Sequence, residues 1–341
     1  MLPVDFEDDD YSPSGPPAPA LVPSMAPEVS LTVPLGMAGA RFDRALADLF
    51  PNHSRSRLAA MAKAGSILLD GKVTEAKTRL LGGETIAATL TPRAEESAFV
   101  AEDLPIEILH EDDEVIVINK PAGLVVHPAA GNWSGTLLNA LLFHAPQVAG
   151  LARAGIVHRL DKDTSGVMVA AKTEIAQLSL VRQLQARTVK RLYLALVRGH
   201  VTAAGVVDAP IGRHPRDRVR MAVVEVERGG KPARTHYRPV RKFPEHTLVE
   251  CSLESGRTHQ IRVHMQSIGY PLEGDLVYGP KPGGIDAALR KAVTDFGRQA
   301  LHAYQLSFLH PATGKAVQFE AEIPADMARL LEAAAAAGDD C

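Results

Sequence analysis

The chain has 341 residues, 46% hydrophobic and 23% charged, an ordinary globular composition with room for about two domains, which excludes a collagen, a coiled coil and a wholly disordered polypeptide. Its formal charge of −3 taken alone argues against a nucleic-acid partner, because affinity for a phosphate backbone rests on Lys and Arg. With Cys251 and Cys341 as the only cysteines, no apolar run of about 18 residues and no basic-then-apolar start of a signal peptide, the expectation is a cytoplasmic protein without disulfides, thiolate zinc or a membrane span.

Divided along the chain, the charge reads differently. Residues 1–34 hold eight of the 24 prolines and six acidic residues with no Lys or Arg, which predicts a disordered acidic tail. Residues 41–93 carry a net charge of +4, residues 94–119 hold nine acidic and no basic residues, and residues 120–341 hold 28 basic against 20 acidic. Two acidic segments, the tail and a linker over 94–114, therefore mask two basic folded units.

In the first basic unit, Phe42, Leu46, Leu49 and Phe50 recur at the spacing of one helix face. Pro51 ends that helix. Ser54 caps a second one in which Leu58, Met61 and Ala62 face inward, leaving Arg55, Arg57 and Lys63 toward solvent near a helix N-terminus, where free N–H groups and the positive dipole end suit a phosphate. Gly65 stops it, and the runs Ile67–Val73 and Gly82–Ile86 read as short strands around turns. The order Arg41-Phe-Asp-Arg44, Ser54-Arg-Ser-Arg57-Leu58, Ala64-Gly-Ser-Ile-Leu-Leu-Asp-Gly-Lys-Val73, Gly82-Gly-Glu-Thr-Ile86 resembles the S4 RNA-binding module. For each basic residue alone, a merely solvated surface remains an alternative.

Val115-Ile-Val-Ile118 is short, β-branched and followed by Asn119-Lys-Pro-Ala-Gly123, which predicts a buried strand entering a turn. Leu137, Leu138, Leu141 and Leu142 predict a helix packed on a sheet. Gly155–Lys172 reads as a strand, a polar turn holding Asp161 and Asp163, and a second apolar strand. A carboxylate at the tip of such a turn is rigidly held yet open to a ligand, suiting a nucleophile or a base, although an aspartate in a turn also serves simply to close it. Tyr193 alternates with Leu192 and Leu194 in a strand pattern and reads equally as core, and Cys251 in Leu248–Leu253 reads as an inert buried thiol. The stretch 213–242 holds ten basic and three acidic residues, which favours phosphate contact. The end of the chain, 331–341, reads as a fraying tail.

The string His158-Arg-Leu-Asp161-Lys-Asp-Thr-Ser-Gly166 resembles the active-site motif of the RluA-type pseudouridine synthases, and the resemblance continues through Asn119-Lys-Pro-Ala-Gly123, Arg191-Leu-Tyr193-Leu-Ala-Leu-Val197 and Glu254-Ser-Gly-Arg-Thr-His-Gln-Ile-Arg262-Val-His264. It implies an α+β architecture: the S4-like module over 41–93, then a catalytic domain over 115–330 with a mixed, largely antiparallel sheet flanked by helices. It implies an isomerase that converts uridine in structured RNA to pseudouridine, flipping the base out of its stack. Asp161 matches the catalytic aspartate, Arg159 the residue that fills the vacated place, Tyr193 the tyrosine packed on the flipped uracil and Arg262 the partner of the aspartate, with Ile261 against the same pocket. Either role of Asp161, attack on the sugar or removal of its proton, needs a carboxylate, which a neighbouring guanidinium favours. Within the family, His127-Pro-Ala-Ala-Gly-Asn132, Arg213-His-Pro-Arg216, Gly230-Lys-Pro-Ala233, Thr235-His-Tyr237 and Phe296-Gly-Arg-Gln-Ala-Leu-His302 are most similar to members that modify the helix 69 stem-loop of large-subunit ribosomal RNA. Implied with them are a ribosomal RNA partner, no metal, no nucleotide or other cofactor, and a monomer; no phosphate-binding or dinucleotide-binding glycine motif occurs in the sequence. The rivals are the same chemistry on another ribosomal or transfer RNA uridine, a non-catalytic RNA-binding assembly factor, and a metal-dependent RNA hydrolase using His158, His259 and His264.

Overall fold

The computed structural model describes residues 28–51, 53–90, 98–129, 131–217, 220–280, 283 and 285–337. They form two compact units, one ending at Ala98 and one beginning at Phe99.

The first unit contains β1 (Glu28–Thr32), α1 (Phe42–Leu49), α2 (Arg55–Lys63), β2 (Ile67–Leu69) and β3 (Thr85–Thr89). β3 lies between β1 and β2, antiparallel to both. The expected apolar faces form its core: Phe42, Ala45 and Leu46 of α1 meet Leu58, Met61 and Ala62 of α2, closed by Leu80 and by Ile67, Leu69, Ile86 and Ala88 of the sheet. Ser54 caps α2 by accepting from the Arg57 N–H at 3.4 Å.

Two expectations in this region need correction. The tail was expected to run to residue 34, yet Glu28–Thr32 pairs with all of β3 and Val33 is buried; averaging proline and charge over 34 residues hid a five-residue strand. Lys63 does not share the N-terminal end of α2 with Arg55 and Arg57 but sits in its last turn, where a cation complements the negative end of the dipole. Residues 1–27 and 91–97 lie outside the described residues.

The second unit runs β4 (Glu107–Glu111), β5 (Val115–Lys120), α3 (Leu137–His144), β6 (Ser165–Ala171), α4 (Glu174–Gln185), β7 (Lys190–Arg198), β8 (Gly205–Asp208), β9 (Ile211–Arg213), β10 (Met221–Val223), β11 (Arg234–Lys242), β12 (His246–Leu253), α5 (Gln260–Ser267), α6 (Ala287–Phe296), β13 (Leu301–Leu309), β14 (Ala316–Glu320) and α7 (Ala325–Ala336). Nine strands make one sheet in the order β4-β5-β6-β13-β7-β12-β11-β8, with β14 on β13. Only the β6–β13 pairing is parallel, so the mixed, largely antiparallel sheet flanked by helices is as expected. β9 and β10 pair separately.

The continuous apolar run in β5 follows from burial on both faces. Ile116 and Ile118 pack with α3 and with Ile261 and Met265 of α5, whereas Val115 and Val117 pack with Ala176 and Leu180 of α4. A further cluster joins Leu196 and Leu248 to Leu289 of α6 and Met327 and Leu330 of α7.

Three boundaries differ from expectation. The linker expected over 94–114 includes β4, paired antiparallel with β5. Gly155–Leu160 is not a strand, and Ile156 makes only an isolated bridge to Ala170. The expected C-terminal tail is helical to Ala336, with Leu331 and Ala334 buried, because helix-forming alanines there still have an apolar surface to cover; residues 338–341 lie outside the described residues.

Gly166, the second residue of β6, has φ +120°, and a Cβ there would lie 2.1 Å from the Ala303 carbonyl oxygen of the parallel neighbour β13. Gly166→Ala is expected to cost about 3 kcal/mol or more, read from the urea midpoint; an unchanged midpoint would show that the two strands part without penalty.

Candidate active site

The turn carrying Asp161 is fixed through its backbone. Thr164 N–H donates to the Asp161 carbonyl at 3.0 Å, and the Lys162 carbonyl accepts from Gly123 N–H and Lys120 Nζ, both at 2.9 Å. Lys120, fully buried at the end of β5, also donates to the carbonyls of Pro121 at 2.7 Å and Leu124 at 2.9 Å. Three carbonyls therefore satisfy the three protons of one ammonium. Burial pushes Lys120 down to about 7, against the opposing charges of Asp163 and Asp161. On the other side Arg298 donates to the Asp163 carbonyl at 3.0 Å while gripping Asp326 with Nε and Nη2. Gln299 donates to Thr164 Oγ1 at 3.1 Å, and Ser165 Oγ lies 2.9 Å from His302 Nδ1. Each residue from 162 to 165 is thus anchored from outside the turn.

The Asp161 side chain, 16% exposed, receives Arg262 Nη1 at 3.0 Å. Arg262 projects from α5, whose preceding residue His259 adopts a left-handed φ of 58°. Its Nε and Nη2 bind Asp275 at 2.7 and 3.0 Å. The Asp275 carboxylate also accepts from Val277 and Tyr278 N–H at 2.8 and 2.9 Å. Burial disfavours charge on both partners, but the Arg262 hydrogen bonds and charge hold Asp275 below its ordinary range, and Asp275 and Asp161 together hold the proton on Arg262 more tightly than usual. The guanidinium carbon lies 5.0 Å from the Tyr278 ring centre. Tyr278 Oη accepts from Met221 N–H at 2.7 Å and lies 3.0 Å from His259 Nδ1.

Asp161 opens onto a cleft of about 720 Å³ that is also lined by Arg159, Tyr193, Ile261 and Arg262. All five sequence-predicted residues of this site therefore meet there. Arg159 is exposed, whereas Tyr193 and Ile261 are buried in the core cluster beneath. Burial raises the Tyr193 hydroxyl above its ordinary value, with Arg191 opposing. Among the described residues, eight arginines and one lysine line the cleft against two carboxylates, Asp161 and Glu254. Glu254 is occupied by Arg187, Arg234 and His236. Such a surface attracts a polyanion.

In the first unit Arg55 binds Asp43 at 2.8 Å, alongside Arg41, while Arg57 is half-buried and Lys63 exposed. The three histidines weighed as metal ligands serve separate ends: His158 Nε2 accepts from Val169 N–H, His259 faces Tyr278, and His264 lies between Thr235 Oγ1 and the Ala209 carbonyl. Sequence reasoning missed the supports Lys120, Arg298, Asp275 and Tyr278. Lys120 stood inside a quoted motif without a role; Asp275, following Gly274, gave only the signal of another turn aspartate.

A family model described as RNA pseudouridylate synthase matches residues 114–267. Ribosomal large subunit pseudouridine synthase D of Neisseria meningitidis serogroup B is 54% identical over 304 residues, covering 89% of this chain and 81% of that protein. The Pseudomonas aeruginosa protein of the same name is 51% identical over 305 residues, covering 88% and 93%. Among solved structures, human RNA pseudouridylate synthase domain containing 4 aligns with a TM-score of 0.54 at 28% identity, covering 67% of this chain and 92% of that one.

Lys120→Met takes their shared donor from three carbonyls, of which that of Lys162 keeps the Gly123 N–H, and is expected to cost about 2 kcal/mol or more. The unfolded chain holds the Lys120 proton up to its ordinary value of 10.5 and the folded chain only to about 7, so unfolding takes up a proton in that window. The stability gap between native protein and variant should therefore widen from pH 7 toward pH 10 in urea titrations; a gap that narrows would contradict the clamp's burial.

Proposed function

The chain belongs to the RNA pseudouridylate synthase family, and from that premise we propose that it converts uridine to pseudouridine in large-subunit ribosomal RNA, at the helix 69 stem-loop, with Asp161 as the catalytic carboxylate. The target is supported by relatives at about half identity whose names specify the large ribosomal subunit. The observation that carries the chemistry is the Asp161 carboxylate held at 3.0 Å by Arg262 on the wall of a strongly cationic cleft.

The reaction exchanges an N-glycosidic for a C-glycosidic bond within one nucleotide, so the base must leave its stack, at a cost of a few kcal/mol. Exposed at the cleft, Arg159 fills the vacated position with a flat guanidinium. Tyr193 packs against the flipped uracil, and Ile261 closes the pocket beside it. Asp161 then attacks C1′ or removes a sugar proton. The cleft cations hold the flanking phosphates, and the first unit, read as an S4-like module, adds RNA contacts through Arg55, Arg57 and Lys63. The enzyme is read as a cytoplasmic monomer working without cofactor; among the described residues no helix is long and apolar enough to cross a membrane. A non-catalytic assembly factor would have no use for the Asp161–Arg262 pair, which is intact.

Asp161→Asn should lower pseudouridine formation at least about a thousandfold while RNA affinity stays near native, as read by tritium release from RNA carrying 5-tritiated uridine; near-native release would remove Asp161 from the chemistry. Substituting Arg57 by Gln should weaken RNA binding across sequences and lower the salt slope by about one, measured by filter binding between low and moderate salt. An unchanged slope would place Arg57 off the RNA.

A further inference from the structure

One cation in the cleft is unlike the others. Arg191, on β7 two residues before Tyr193 and on the same strand face, is only 8% exposed, yet among the described residues its guanidinium has no hydrogen-bond or ion-pair partner, and its Nε is buried without an acceptor. Of the two cleft carboxylates, Asp161 is taken by Arg262 and Glu254 by Arg187, Arg234 and His236. The Arg191 guanidinium lies under the loop that leads into α5: a Cβ on Gly256 would stand 2.8 Å from Nη1. Its charge is felt by both Tyr193 and His158.

His158 adds a second, independent signal. Its Nε2 accepts from the Val169 N–H at 3.1 Å, so in the neutral ring Nδ1 carries the proton, and Nδ1 is likewise buried without a partner. Burial, with the Arg191 charge, pushes this histidine down to about 3, which keeps the ring neutral. Two orphan donors, one of them a full cation, therefore share one wall of the cleft. An unpaired buried guanidinium destabilises the fold. Its retention in a binding cleft fits an anion that arrives with the substrate.

We propose that Arg191, with His158 beside it, binds the carbonyl edge of the flipped uracil and stabilises the negative charge that the base carries between bond breaking and bond making. This rests on the pseudouridine synthase reading. In that reaction C1′–N1 breaks with its electron pair kept by uracil and spread over O2 and O4. C1′ is taken up by the Asp161 carboxylate, or its electron deficiency is relieved by loss of the C2′ proton to that carboxylate, which later returns it. The C5=C6 π pair then forms C1′–C5 while the N1 pair moves into N1=C6, displacing the carboxylate where it had bonded; loss of the C5 proton restores C5=C6 and returns the pair to N1, which gains a proton, so product and substrate have the same composition. Arg191 changes no bond. Its depth separates it from phosphate contacts: Arg159, Arg213 and Arg228 are exposed and suit a hydrated backbone, whereas Arg191 lies beside Tyr193, where the base enters.

The test is single-turnover tritium release from an unmodified large-subunit ribosomal RNA transcript carrying 5-tritiated uridine, with affinity measured in parallel. Arg191→Gln should lower the rate at saturating RNA about 100-fold or more with affinity within about threefold, and Arg191→Lys should restore part of the rate. A native rate at saturation would overturn the proposal, as would a loss confined to affinity, which would make Arg191 a phosphate contact. Should the glutamine variant fail to fold, the native enzyme decides: 2-thiouridine or 4-thiouridine at the target, whose sulfur is the poorer acceptor, should slow the step about tenfold or more in at least one case, and equal rates for both would contradict it. If the native enzyme releases no tritium from any such transcript, the functional reading falls first and this inference with it.

Discussion

Arg262 has to be shared between two carboxylates, and the site is arranged around that requirement. Asp275 takes Nε and Nη2, leaving Nη1 for Asp161. The Asp275 side chain is fully buried and would be costly alone; two backbone N–H groups and the guanidinium satisfy it. Removing one partner of such a pair typically costs about 3–5 kcal/mol, because the other is left charged and dry. Asp275 therefore fixes where the guanidinium points, and the guanidinium fixes where Asp161 points. Tyr278, stacked under Arg262 and bonded to Met221 of β10, ties this arrangement to the short β9–β10 hairpin, whose Arg213 lines the cleft.

The opposite side of Asp161 is held by the sheet. β5 ends at Lys120, β6 begins at Ser165, the segment entering β13 supplies Arg298 and Gln299, and β13 itself supplies His302. Its parallel pairing with β6 sets His302 opposite Ser165, and that register brings far-separated stretches of chain onto one four-residue turn. A turn gripped through its carbonyls leaves its carboxylate side chain free to act, in keeping with the use of rigid elements to present a reactive group. Arg191 reaches the same cleft from β7, the strand next to β13.

Patterns with a local cause were legible in the sequence. The helices at 42–49 and 137–144 follow from apolar spacing, α2 from Ser54, and β5 from a β-branched run. Asp161, Arg159, Tyr193, Ile261 and Arg262 were legible through motif resemblance, and the structure gathers them at one cleft. Averages misled at the ends and in the linker: acidity and proline concealed β1 and β4, and an alanine run concealed that α7 covers an apolar surface. The supports were illegible for a different reason. Lys120, Asp275 and Arg298 act through contacts set by tertiary folding, and nothing local distinguishes Asp275 from any aspartate beside a glycine. Arg191 in a strand pattern carried no sign that its charge would be buried and unmatched.

The contacts give Asp275 a single role, to hold Arg262 on Asp161. A double-mutant cycle of Arg262→Lys and Asp275→Asn, read as the single-turnover rate of pseudouridine formation at saturating RNA, measures it directly. Strong coupling is expected, with the double variant no slower than the worse single one. Additive losses in the logarithm of the rate would show that the two residues act separately and would contradict it.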